Sequence, residues 1–174
     1  MIFRQTDIPG VTIVDLEPHC DERGFFARLW CADEFQRQGF SGACVQSSLA
    51  FNHRRGTIRG LHYQAQPHGE EKCVRCVRGA VFAVAVDLRP GAARGRWTAV
   101  ELSADNRRML VVPPDCAFGY QTLADQTELL YMMSSPHVPE AARGVRYDDA
   151  ALAVRWPMEM TVVSERDRAW PDFR

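Results

Sequence analysis

Ten short runs of β-type residues, each bounded by turn signals, constrain this chain more than any other feature: GVTIVDL, ACVQSSLAF, TIRGLHYQ, KCVRCV, AVFAVAVDL, RWTAVEL, RMLVVP, AFGYQTL, TELLYMM and AVRWP. Runs this short, rich in Val, Ile, Thr and aromatic residues and punctuated by Gly and Pro, read as strands. Their even recurrence predicts an all-β sandwich or barrel. Residues 80–86, AVFAVAV, are apolar at both parities, which predicts a strand covered on both faces and the thickest part of the core. Helix is scarce. The best candidate is ADEFQRQGF, residues 32–40, where Asp33 and Glu34 favour the start and Gly39 the end. No repeat, low-complexity tract or linker divides the chain, so one domain over residues 1–174 is expected.

With 21 Lys and Arg against 22 Asp and Glu, the net charge of -1 offers no basic field to nucleic acid or an anionic membrane. Any anion binding must be local. No apolar run is long enough to span a bilayer, and the expectation is a soluble, cytoplasmic chain. Six cysteines include CVRC at 73–76, half of a zinc spacing with no second CxxC. On a strand, positions three apart face opposite ways, so Cys73 and Cys76 are expected to diverge as free, mostly buried thiols.

The cluster that asks for chemistry is RGLHYQ, residues 59–64. Strict alternation puts Ile58, Gly60, His62 and Gln64 on one face and Arg59, Leu61 and Tyr63 on the other; a bulge at Gly60 would bring Arg59 and His62 together. His62 then admits three readings. It is a satisfied strand histidine. It is a metal ligand with His68, Glu70 and Glu71 nearby, although Gln64 interrupts the His-x-His pair of metal-binding cupins. Or it is a base that removes a proton next to a carbonyl, with Asp167 of ERDR (165–168) holding its tautomer and Lys72 stabilising the enolate. Spacing leaves all three open.

Over nearly its whole length the chain resembles the dTDP-4-dehydrorhamnose 3,5-epimerase family. The matching segments are DERGFF (21–26), RGLHYQ (59–64), KCVRCVRGAVFAVAVDLR (72–89), LSADN (102–106), VPP (112–114), RGVRYDD (143–149), RWP (155–157) and SERD (164–167). The resemblance implies a cupin-like jelly roll with few short helices, a metal-free site inside the barrel that uses no cofactor, and a homodimer with strand exchange. It also implies a nucleotide-diphosphate 4-keto-6-deoxy sugar as substrate, epimerised at C3, C5 or both, in deoxysugar or cell-surface polysaccharide biosynthesis. The rival is a sugar-nucleotide-binding homologue without activity. By position, the resemblance makes His62 the general base, Asp167 its partner and Lys72 the group facing the 4-keto oxygen. Arg59 and Arg23 become pyrophosphate contacts, Arg23 from the other subunit, with Arg166 a further phosphate candidate. Phe26, Gln46 and Tyr131 are expected to contact substrate.

The pattern also has departures. A tyrosine that family members carry before the RGVRYDD-type segment, ahead of a small residue and a proline, is His137 here, which makes His137 the expected acid; Tyr120 and Tyr131 are the other candidate donors. Phe118 stands in place of a histidine. Around the nucleotide, His19, Arg28, Ser48 and Ala142 replace an aromatic residue, an acid, an asparagine and a glutamate, and so leave the base moiety open.

Overall fold

The computed structural model describes all 174 residues. In chain order the strands are β1 (Ile2–Gln5), β2 (Thr12–Asp15), β3 (His19–Asp21), β4 (Gly24–Phe26), β5 (Gln46–Asn52), β6 (Ile58–Gln64), β7 (Lys72–Arg78), β8 (Ala80–Asp87), β9 (Trp97–Ser103), β10 (Met109–Val112), β11 (Cys116–Thr122), β12 (Thr127–Met133) and β13 (Ala142–Gly144). Two short helices, α1 (Ala32–Arg37) and α2 (Glu165–Arg168), and a 3-10 turn at Pro139–Ala141 complete the elements.

The strands form a two-sheet antiparallel sandwich. One sheet has the order β1-β2-β10-β7-β12-β5 and the other β13-β6-β11-β8-β9, while β3 and β4 make a separate hairpin. Between the sheets, Val74, Cys76 and Leu129 of the first meet Val81, Ala83, Ala85, Phe118 and Tyr120 of the second. The alternate residues of β8, Val84 and Val86, face outward and are covered by Leu61, Ala117, Val145 and Leu152. The double apolar parity of AVFAVAV is thus used on both sides, and each valine so buried contributes roughly 1.5–3 kcal/mol before chain entropy is set against it. The outer face of the first sheet packs under α1, where Phe35 and Phe40 meet Cys73, Met109 and Val111. Cys73 and Cys76 therefore lie in different clusters, as strand geometry requires. No helix is long and apolar enough to cross a membrane.

One expected strand is absent. AVRWP at 153–157 pairs with nothing: Ala153 has φ 47°, and the Trp156 ring instead closes over Phe82 at 6.2 Å, its indole N–H donating to the Tyr147 carbonyl at 2.8 Å. Its apolar residues serve as single plugs on the outer face of the second sheet rather than as a ladder. The short strands β1, β3, β4 and β13, three or four residues each, carry too little alternation to be read from the sequence.

Candidate active site

A cavity of about 720 Å³ opens between the sheets, walled by β5, β7 and β12 on one side and by β6, β13 and the 162–170 segment on the other. The residue that shapes it is Gly60. Its φ of +140° lies where L side chains are strained, and a Cβ there would come within 2.6 Å of the Gly119 Cα. Opposite it, Phe118 pairs with His62 and Tyr120 with Arg59, so β6 carries one residue more than β11 over this stretch. That bulge turns both Arg59 and His62 into the cavity. Arg59 is aimed by its Nε donating to Asn52 Oδ1 at 2.9 Å and by a second bond to the Phe51 carbonyl at 3.1 Å.

His62 Nε2 lies 2.6 Å from Asp167 Oδ1, across 105 residues of sequence. Asp167 is buried on α2, whose start is capped by the Ser164 hydroxyl accepting from the Asp167 amide at 3.1 Å. Its other oxygen accepts the Gly60 amide at 3.3 Å, and Oδ1 also accepts the Trp170 indole N–H at 3.2 Å. Burial alone would raise this carboxyl, but the His62 hydrogen bond and charge, with the Gly60 and Trp170 donors, hold it below its usual value. An ionised carboxylate only accepts, so Nε2 carries the shared proton, and in the neutral ring Nδ1 holds the lone pair. With 42 % of the His62 side chain open, that lone pair is within reach of a ligand.

Lys72 projects from β7. Its ammonium is 2.7 Å from Glu70 Oε1 and 3.5 Å from the His62 carbonyl, and the pair is almost closed off, 11 % and 8 % exposed. Gln64 Nε2 donates to Glu70 Oε2 at 3.2 Å, while Gln64 Oε1 accepts the Val138 amide at 2.6 Å. A pair this buried offers little net stability over an apolar substitute, so its worth lies in where it holds the charge. Glu71 points elsewhere, accepting the Ser41 amide at 3.3 Å, with burial raising its carboxyl, and His68 is exposed. Nowhere do three His, Cys, Asp or Glu side chains converge as a metal site would need.

Tyr131 enters the cavity from β12, on the sheet facing His62. The Phe118 ring meets it edge-on at 6.1 Å; burial, then the neighbouring Tyr120 phenol, push its hydroxyl well above the ordinary value, so it stays protonated. His137 is exposed on the rim, its backbone amide donating to Gln46 Oε1 at 2.9 Å. Gln46, Ser48, Ala142 and Arg166 also line the cavity.

Four sequence candidates are not brought there within one chain. His19 and Phe26 lie on the β3–β4 hairpin, Phe26 77 % exposed; Arg23, at its turn, is 84 % exposed and tied to Asp21; Arg28 pairs with Glu34. Conversely, Trp170 and Arg143 belong to the cavity, and Glu70 serves there as the lysine counterion rather than a metal ligand. Trp170 stands three residues after Asp167, the one signal that could have marked it.

A family model described as dTDP-4-dehydrorhamnose 3,5-epimerase matches residues 5–174. A dTDP-4-dehydrorhamnose 3,5-epimerase of Sinorhizobium fredii is 36 % identical over 175 residues, covering 99 % of this chain and 90 % of the relative. Among solved structures, the same enzyme from Bacillus anthracis, with TDP and PPi bound, superposes with a TM-score of 0.94 at 31 % identity over 99 % of both chains. ChmJ, a 3'-monoepimerase of Streptomyces bikiniensis solved as a double mutant with dTDP, has a TM-score of 0.89 at 29 % identity, covering 97 % of this chain and 85 % of that one.

Proposed function

The chain belongs to the dTDP-4-dehydrorhamnose 3,5-epimerase family, and from that premise we propose that it epimerises a dTDP-linked 4-keto-6-deoxy sugar by proton transfer next to the ketone. The observation that carries the reading is one cavity with a carboxylate-held imidazole on one wall and, on the other, a protonated phenol and an ammonium. His62 Nδ1 takes the proton from the carbon beside the ketone. The C–H electron pair forms the enolate double bond, and charge moves to the ketone oxygen, where Lys72 donates. A preorganised donor of this kind is worth about 3–4 kcal/mol in the transition state. Tyr131 then gives its phenolic proton to the opposite face of the carbanion, which inverts the centre. Imidazolium and phenolate exchange protons with solvent to reset the site.

His137 is the second candidate for the acid, because it lines the cavity mouth on a backbone pinned by Gln46. The phenol is favoured by its place on the wall facing the base. Arg59 and Arg166 are assigned to the diphosphate, and Gln46 to the substrate. The TDP and dTDP held by the two structural relatives support thymine as the base. Arg23, Arg28, His19 and Phe26 are assigned to the cavity of a second copy. Edge strand β5, with Leu49 61 % and Phe51 39 % exposed, supports a homodimer that exchanges strand contacts. The chain is read as one domain, working in the cytoplasm with neither metal nor cofactor.

The experiment is proton NMR of 4-keto-6-deoxyglucose linked to dTDP, CDP or GDP, incubated with the protein in deuterium oxide. Deuterium at C3 or C5 with appearance of an epimer is expected for the dTDP sugar. Unlabelled sugar in all three incubations would leave a binding protein without activity.

A further inference from the structure

We infer that Trp170 is a positioning residue for the His62–Asp167 pair, its indole N–H fixing and partly discharging the carboxylate oxygen that the imidazole uses. This rests on the reading of His62 as the base. Both His62 Nε2, at 2.6 Å, and Trp170 Nε1, at 3.2 Å, converge on Oδ1, while the Gly60 amide holds Oδ2. The carboxylate is therefore clamped at both oxygens and cannot rotate away from the ring.

The indole reaches back to Asp167 because β13 leaves room for it: a Cβ at Gly144 would collide with the Trp170 ring. From the other side the Arg166 guanidinium lies over the indole at 5.1 Å, and the His62 ring meets it at 6.1 Å and 66°. Trp170 is half-buried, with its ring seated against Gly144 and its one polar atom donated to the carboxylate. A donor to a carboxylate stabilises the ionised form and weakens it as an acceptor for a second partner. Without the indole N–H, Oδ1 offers the imidazole more charge, which favours the imidazolium and postpones release of the base to higher pH.

Other ionisable groups face the pair from the surrounding elements: Arg59 on β6, Lys72 with Glu70 at β7, Arg143 on β13, Arg166 on α2, and the phenols of Tyr63 and Tyr131. None of the cationic ones ordinarily changes charge between pH 5 and 8, whereas a rim imidazole does. The comparison is therefore made between the parent and variants that all keep His137, so that its contribution is common to every profile.

The test is the pH profile of deuterium exchange into the dTDP sugar. Trp170→Phe keeps a ring on Gly144 but removes the N–H; its rising limb is expected about half a unit higher in pH, with KM changed by less than about twofold. If Trp170→Phe does not fold, Gly144→Ala, which retains the N–H but displaces the ring, carries the same expectation. A limb that coincides with that of the reference protein overturns the inference. Exchange that survives His62→Ala would instead remove the reading of the base, a result distinct from an unmoved limb.

Discussion

At the scale of single residues, inversion needs a base and an acid on opposite faces of one carbon. His62 and Tyr131 stand on facing sheets, whereas His137 sits on the rim. Tyr131→Phe should therefore keep deuterium exchange but lose the epimer, while His137→Ala should still form it. The reverse outcome, monitored by NMR of the product, would make His137 the acid. The lysine gives a second expectation. Lys72→Met removes the enolate donor and strands Glu70, whose only other side-chain partner is Gln64. The rate should fall about 10²–10³-fold, and stability by about 3–5 kcal/mol. Adding Glu70→Gln should recover much of the stability in a denaturant titration and none of the rate, because the buried charge is then gone but the ammonium is still missing.

At the scale of elements, the site depends on one irregularity in β6. Gly60→Ala asks a side chain to adopt φ +140° against the Gly119 backbone, at a cost of about 1–3 kcal/mol or more. It should also misdirect His62 relative to Asp167. A thermal melt should show the loss of stability, and exchange should fall even at temperatures where the variant is folded. What was legible in the sequence follows from the same local rules. AVFAVAV and the glycine within RGLHYQ carry their meaning in neighbouring residues, so the buried strand and the bulge could be read directly. AVRWP could not, because its aromatic and aliphatic residues pack singly across the outer face rather than alternating along a ladder. The 2.6 Å contact of His62 with Asp167 spans 105 residues; the residue types admitted the pair, and the family resemblance singled it out from the other readings. Nothing local distinguishes Glu70, which meets Lys72, from Glu71, which turns to Ser41; nor does anything local show that Trp170 folds back onto a carboxylate.

At the scale of the molecule, two sheets supply the two walls of the cavity, but the β3–β4 hairpin carries its candidate residues away from the chain's own site. If Arg23 acts in a partner's cavity, two inactive homodimers should complement each other: a mixture of His62→Ala and Arg23→Ala chains, unfolded and refolded together, contains sites with both groups intact. Recovered exchange is expected from the mixture and from neither variant alone; no recovery would return Arg23 to its own chain or to the solvent. The reaction turns on proton removal beside the sugar ketone by the carboxylate-held imidazole. Its most direct measurement is deuterium incorporation at C3 and C5 of dTDP-4-keto-6-deoxyglucose, followed by NMR, for the parent protein beside His62→Ala and Asp167→Asn. Rapid labelling by the parent, none by His62→Ala and slowed labelling by Asp167→Asn is the predicted result. Labelling by His62→Ala at the parental rate would contradict it.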